Sequence, residues 1–382
     1  MKTEKRHIKG WIACLLMLLL TACADSGDAV SPPHEADTPD PVLTIYVYAP
    51  ERPVITRARD ITATSDENVI RQLQIWVFET GTDRLVSYLN PKDMPTSDEG
   101  TVYQMTVSND FARAAVKPNV DVYVVANAPA AGLSLSESTT RSALEEARIG
   151  TAYFGVAAPT TLIPDGLPMS GVLHGQPVVG EAPVLRIGNY DEMAKVTLQR
   201  AVSKVCFLFS STPGTTLTIQ HITIDGGMIP VEEYLFLNDG GTYRIGSEYD
   251  TSAAQLLQTE LASVNTCDDP TAYVWQGQEA QTYENLMAEG VSDGQLSQAG
   301  PYYFKETDRK ISGTLTYQVD GGASSTATFS MAAKDSNSSF TRNHSWMVYA
   351  YYAAGEASGL IINCLLVADW QKGNYNYTEI GD

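Results

Sequence analysis

The side chains that could do chemistry are few and widely spaced. His7 and His34 lie in the first forty residues, and His174, His221 and His344 are scattered with no partner at helical or strand spacing. Surface or core histidines are therefore expected rather than metal ligands or bases. The adjacent carboxylates Glu232-Glu233 and Asp268-Asp269 could serve glycoside cleavage or calcium binding. Neighbours in a strand face opposite sides of a sheet, however, so solvated charge is the expectation. The sequence carries no nucleophile elbow, His-Glu-x-x-His helix, phosphate-cradling glycine loop or EF-hand loop. Its glycine pairs at 226–227, 240–241 and 321–322 fall between strand-like runs and read as turns. Neither catalysis, a cofactor nor a metal is expected.

One cysteine does stand in a patterned setting. Lys2, Lys5, Arg6 and Lys9 precede an apolar run from Trp11 to Leu20, which closes on Leu20-Thr21-Ala22-Cys23. This is the order of a signal peptide: charged start, short apolar stretch, small residues at the cut. The run is too short to cross about 30 Å of hydrocarbon as a helix. Ending at Ala-Cys, it resembles the lipobox of bacterial lipoproteins, which implies that Cys23 is acylated and becomes the first residue of the mature chain. Cys14 would leave with the signal. Cys206, Cys267 and Cys364 form an odd set without metal-type spacing. Cys206 and Cys364 sit in apolar runs, as buried free thiols do; one disulfide stays open as an alternative in an oxidising compartment.

The 382-residue chain has a formal charge of −20. Removing residues 1–22 takes away four bases and one acid (Glu4), which moves the charge from −20 to −23. So acidic a body argues against nucleic acid and anionic headgroups as partners. An anchor of several acyl chains needs no basic patch to hold it to a membrane. Twenty tyrosines invite a glycan-binding reading. Tyr349, Tyr351 and Tyr352, close to Trp346, fit cross-strand packing equally well.

The elements that must position these residues are strands. Residues 23–41 are almost free of apolar side chains and read as a flexible tether after the signal peptide of 1–22. Residues 42–48 then alternate, with Leu43, Ile45 and Val47 on one face. Arg57 and Arg59 follow in a polar stretch. Further strands are expected at 73–78, 85–88, 102–107, 120–126, 196–209, 217–224, 314–319, 327–331, 346–352 and 360–367, with a bulge at Gln220-His221. A short helix is expected at 140–148 and a little helix around 253–261. The pattern predicts an all-β fold: two β-sandwich domains of transthyretin-like, Greek-key type in tandem, residues 42–190 and 191–382.

Several segments together resemble the fimbrillins of Bacteroidales, subunits of the type V pili. They are Leu73-Gln74-Ile75-Trp76-Val77-Phe78, Val122-Tyr123-Val124-Val125-Ala126-Asn127-Ala128 and Leu167-Pro168-Met169-Ser170-Gly171. The run from Val196 to Val205, Arg342-Asn343-His344 and Val367-Ala368-Asp369-Trp370 complete the set. The resemblance implies a non-catalytic pilus subunit, exported as a lipoprotein to the outer membrane surface and supporting adhesion. Its partners would be other pilus subunits, the outer membrane through the Cys23 lipid, and host or bacterial surface ligands. It also implies assembly by strand exchange. An Arg-specific protease would cut at Arg57 or Arg59, remove the strand bearing Leu43, Ile45 and Val47, and open its groove to a neighbour's strand. After Trp370 only a thin apolar set, Asn374-Tyr375-Asn376-Tyr377, is available as a donor, so stalk, tip and anchor positions all stay open. The rival reading is a surface glycan-binding lipoprotein of a nutrient-uptake system.

Overall fold

The computed structural model describes residues 39–50, 65–96, 100–155, 165–237, 244–266, 296–331, 340–355 and 359–367. Alternating β-branched and aromatic residues, punctuated by Gly, Pro and Asn, produce a chain of strands. The first eleven are β1 (Val42–Tyr48), β2 (Leu73–Glu79), β3 (Leu85–Leu89), β4 (Thr101–Thr106), β5 (Val120–Ala126), β6 (Arg148–Ile149), β7 (Met169–Gln176), β8 (Val178–Glu181), β9 (Val184–Ile187), β10 (Lys195–Thr197) and β11 (Gln199–Arg200). Two one-turn helices interrupt them: α1 (Asn109–Arg113), capped by Ser108, and α2 (Arg141–Glu145), capped by Thr140.

All of these strands but β6 make two facing sheets. In one, β4 and the β9–β10 pair flank β1, and β8 lies beyond β9; in the other the order is β11-β7-β5-β2-β3. The chain crosses between the sheets from β7 into β8 and from β10 into β11. Ser87 of β3 donates to the Thr106 carbonyl of β4 at 2.7 Å and ties a corner. Leu43, Ile45, Trp76, Phe78, Val122 and Tyr123 belong to one buried core, with Val122 and Tyr123 on opposite faces of β5. β10 and β11 lie after residue 190, and Val196, Leu198, Ala201 and Val202 belong to this first core. By packing, the first sandwich therefore runs to Val202, twelve residues past the division expected from composition.

The second sandwich uses β12 (Ser203–Ser211), β13 (Leu217–Ile224), β14 (Glu233–Tyr234), β15 (Ala254–Gln255), β16 (Ser297–Phe304), β17 (Ile311–Val319), β18 (Ser324–Met331), β19 (Ser345–Ala353) and β20 (Gly359–Val367). Its sheets have the orders β16-β12-β19-β20 and β15-β13-β17-β18. The fold is all-β, as the alternation predicts. The register of β13 against β17 slips between Ile219 and His221, where the out-of-phase alternation predicts a bulge. Asp320-Gly321-Gly322 turn β17 into β18, with φ of 48° and 70° at the first two and Gly322 N–H donating to the Val319 carbonyl at 2.8 Å. The helix expected around 253–261 does not form. Ala254 and Gln255 pair instead with Ile224 and Thr223 as an edge strand, and Leu256 enters the second core.

One segment breaks the separation. Between β13 and β15 the chain leaves its own sandwich, and β14 pairs with β6 of the first. Leu235 and Phe236 are buried in the first core, Phe236 edge-on to Tyr123 at 5.3 Å. Residues from Asp40 onward form one compact unit.

Candidate assembly site

The first strand is not an edge strand. Along one side of β1, Val42 to Val47 pair antiparallel with Thr106 to Thr101 of β4. Along the other, Val42–Thr44 pair in parallel with Val184–Arg186 of β9, and Tyr46–Tyr48 with Lys195–Thr197 of β10. The main-chain pairing runs on at both ends: Val42 N–H donates to the Pro183 carbonyl at 2.8 Å, and Leu198 N–H to the Tyr48 carbonyl at 2.9 Å. Leu43, Ile45 and Val47 have no exposed surface. Thr44, on the opposite face, is also buried and donates to the Leu185 carbonyl at 2.9 Å. Tyr46 and Tyr48 are half-buried beside each other. Withdrawing β1 would thus leave a groove with unpaired backbone on both walls and three apolar sockets in its floor.

Away from β1, two clusters of buried charge join residues of the two sandwiches. Glu67, in the one-turn 3-10 helix Ser65–Asn68, accepts from Lys204 Nζ at 3.1 Å on both oxygens and from the Tyr303 hydroxyl at 2.5 Å. Burial and the adjacent Glu67 carboxylate push the Tyr303 phenol far above its usual range. Arg200 donates to the Glu67 carbonyl, to Asn68 and to Asn343. In the second cluster Arg342 donates to Glu306 at 2.9 Å, to Glu233 at 2.9 Å and to the Leu235 carbonyl at 2.7 Å. Burial and the neighbouring Glu306 hold Glu233 well above the ordinary carboxylate range, against the pull of Arg342. Lys305, equally buried, has no hydrogen-bond partner for its Nζ among the described residues. Burial brings its amine down to about 8, against the opposing pull of Glu233.

Residues 43–202 match the family model described as the major fimbrial subunit protein, FimA. The first sandwich is thus similar to FimA-type fimbrial subunits, over less than half of the chain. The matched segment starts in β1 and ends at Val202, where packing ends the first sandwich. No curated protein sequence matches the chain. Among solved structures, a candidate cell adhesion protein from Parabacteroides distasonis has 15% identity and a TM-score of 0.50 over 85% of this chain and 96% of its own. The tip fimbrial protein Mfa3 from Porphyromonas gingivalis has 14% identity and a TM-score of 0.45 over 85% of this chain and 99% of its own. At 15% identity the likeness to the first is one of fold alone.

Several of the segments that carry the resemblance in the sequence have a structural use. Asn127 is buried in a left-handed turn (φ 55°). Its amide donates to the carbonyls of Val69 and Leu167, and its Oδ1 accepts from Arg71 N–H, each at 2.8 Å. Gly171 leaves room for β10, since a Cβ there would meet Val196 Cγ1 at 2.6 Å. Ser170 donates to the Leu235 carbonyl at 2.6 Å, and Arg200, Lys204, Arg342 and Asn343 are the junction residues just described. Sequence reasoning marks these segments but not their use. Glu233, expected as solvated charge, is at 0% exposure because long-range pairing buries it; Lys204 and Arg342 are buried in the same way.

Of the site residues expected from the sequence, Leu43, Ile45 and Val47 share one buried face of β1. Cys23, Arg57 and Arg59 lie outside the described residues, as do Cys267 and the Asp268-Asp269 pair. Cys206 and Cys364 are buried, with the Cys364 thiol pushed up to about 12 by burial. His174 Nδ1 stands 3.9 Å from Asp121, and His221 bonds Gln255. Tyr349 and Tyr351 are core residues whose hydroxyls pair with Ser210 and Thr212, so they offer no exposed face for a sugar.

Proposed function

We propose that this protein is a structural subunit of a cell-surface pilus that supports adhesion. It is exported as a lipoprotein through Cys23 and assembled with other subunits by replacement of β1. The observation that carries this reading is the place of β1 inside its sheet, paired on both sides with Leu43, Ile45 and Val47 fully buried. Burial of such side chains is worth about 1.5–3 kcal/mol each, so the three together supply about 5–9 kcal/mol. A domain's whole stability is only about 5–15 kcal/mol. The groove therefore cannot stand empty, and a strand from another subunit must enter as β1 leaves.

Cleavage gives this exchange a direction. While residues 49–66 join β1 to Glu67, the strand is held at an effective concentration on the millimolar scale and outcompetes any free donor. A cut after Arg57 or Arg59 ends that advantage, and a departed strand does not return. Outer-membrane tethering through acyl chains on Cys23 suits the acidic body, which has no need of a basic membrane face. The glycan-binding alternative loses support from the burial of Tyr349 and Tyr351. The test is a Cys23→Ala chain expressed in its native host. The expected result is an unacylated, uncut precursor absent from surface filaments; filaments containing the unacylated chain would overturn the lipoprotein route.

A further inference from the structure

The geometry points to Glu67 as the fixed post of strand exchange, an inference that rests on the exchange reading above. Glu67 is the eighth residue after Arg59, and it is held by residues of the second half of the chain, not by the sheet that contains β1. Its carboxylate is fully buried and takes donors from Lys204 of β12 and Tyr303 of β16. Its own carbonyl and the side chain of Asn68 take donors from Arg200, which also reaches Asn343. Two residues further on, Asn127 fixes Val69 and Arg71 from the end of β5. The chain just downstream of the arginines is thus pinned at two successive points, and neither belongs to β1, β4, β9 or β10. Cutting at Arg57 or Arg59 then frees only what lies upstream. The chain from Glu67 onward stays tied to the second sandwich and does not follow β1 out.

A buried ion pair suits such a post better than an apolar plug. An apolar contact tolerates sliding, whereas a carboxylate with two side-chain donors fixes one residue in one register, since any shift leaves Lys204 buried without its counter-charge. The device separates two events that share one polypeptide: loss of a strand from the first sandwich and retention of everything that follows it.

The full-length protein, cut with an Arg-specific protease and mixed with a synthetic peptide of residues 40–49 as donor, tests the post by hydrogen-exchange mass spectrometry. The comparison is between wild type, Tyr303→Phe, and the double variant Glu67→Gln with Lys204→Met, which removes both buried charges together. In wild type, amides 65–72 should keep their protection after the cut. In the double variant they should exchange at least tenfold faster after the cut, with Tyr303→Phe intermediate and amides 217–224 unchanged in all three. Equal protection of 65–72 in the double variant and wild type would overturn the assignment, as would a loss confined to 217–224. The same digests report on residues 42–48 separately. A donor peptide that never enters cut wild type would contradict strand exchange, whatever amides 65–72 show.

Discussion

Arg342 is 1% exposed and bonds two buried carboxylates, which makes it the most exacting single position among the described residues. Replacing it with methionine would keep volume but strip Glu233 and Glu306 of the guanidinium that bonds both. Removing one partner from a buried ionic cluster costs about 3–5 kcal/mol, and chemical denaturation of Arg342→Met should show a loss of that size. Lys305 predicts the opposite sign. Its amine sits at about 8 in the folded protein and at the ordinary value of 10.5 in the unfolded chain. Below pH 8 both states are protonated, and burying the charge is a constant penalty. Between pH 8 and 10.5 the folded state releases its proton first, so stability rises with pH as the penalty is relieved. Lys305→Met should therefore be more stable than wild type at pH 7, by roughly 1–2 kcal/mol once residual screening is allowed for. The gap should close by pH 10.5. A gap that stays constant across that window would show that Lys305 is not the titrating group.

At the scale of elements, the proposed exchange makes β1 the strand on which both folding and assembly depend. Ile45 lies mid-strand, opposite Tyr103 of β4 and buried on the core face. Ile45→Ala should cost about 2–5 kcal/mol through lost burial and the cavity left behind, read as a lower melting temperature of the uncut precursor. In the cut protein the same change should speed release of β1, because the departing strand holds on less firmly. Tyr46→Ser, on the half-buried face, should do much less of either. The strand itself is legible in the sequence, since Leu43, Ile45 and Val47 alternate cleanly. So are β2, the β17–β18 hairpin with its Asp-Gly turn, and the bulge at Gln220-His221. What is not legible has a physical cause in each case. Residues 253–261 carry helix-forming composition, but tertiary pairing with β13 overrides it at Ala254. The run from Val196 to Phe209 looks like one strand and is three, because the chain passes from the first sandwich to the second at Val202-Ser203. Glu67, Lys204 and Glu233 become functional only through partners more than seventy residues away in sequence, and no local pattern announces that.

At the scale of the whole molecule, the two sandwiches are built to move together. Leu235 and Phe236 belong to the second half of the sequence and to the first core, and Arg342 bonds the Leu235 carbonyl from beneath. Outside them the Tyr234 ring lies between the guanidinium groups of Arg148, at 4.4 Å, and Arg244, at 3.7 Å. A subunit that passes tension along a filament gains from such a junction, since load entering one sandwich reaches the other through buried contacts. Phe236→Ala should remove about 3–5 kcal/mol of packing from that joint. Calorimetry should then resolve two unfolding transitions where the wild type shows one. A single transition in the variant would mean that the ionic clusters alone couple the sandwiches. The account as a whole rests on β1 being given up during assembly. The most direct measurement is mass spectrometry of the chain within purified surface filaments, from cells carrying wild type or Arg57→Ala with Arg59→Ala. The prediction is that wild-type filaments contain chains beginning at Ala58 or Asp60 and lacking residues 42–48, while the double variant accumulates as folded monomer outside filaments. Filaments in which wild-type chains retain residues 42–48, or which the double variant enters normally, would contradict it.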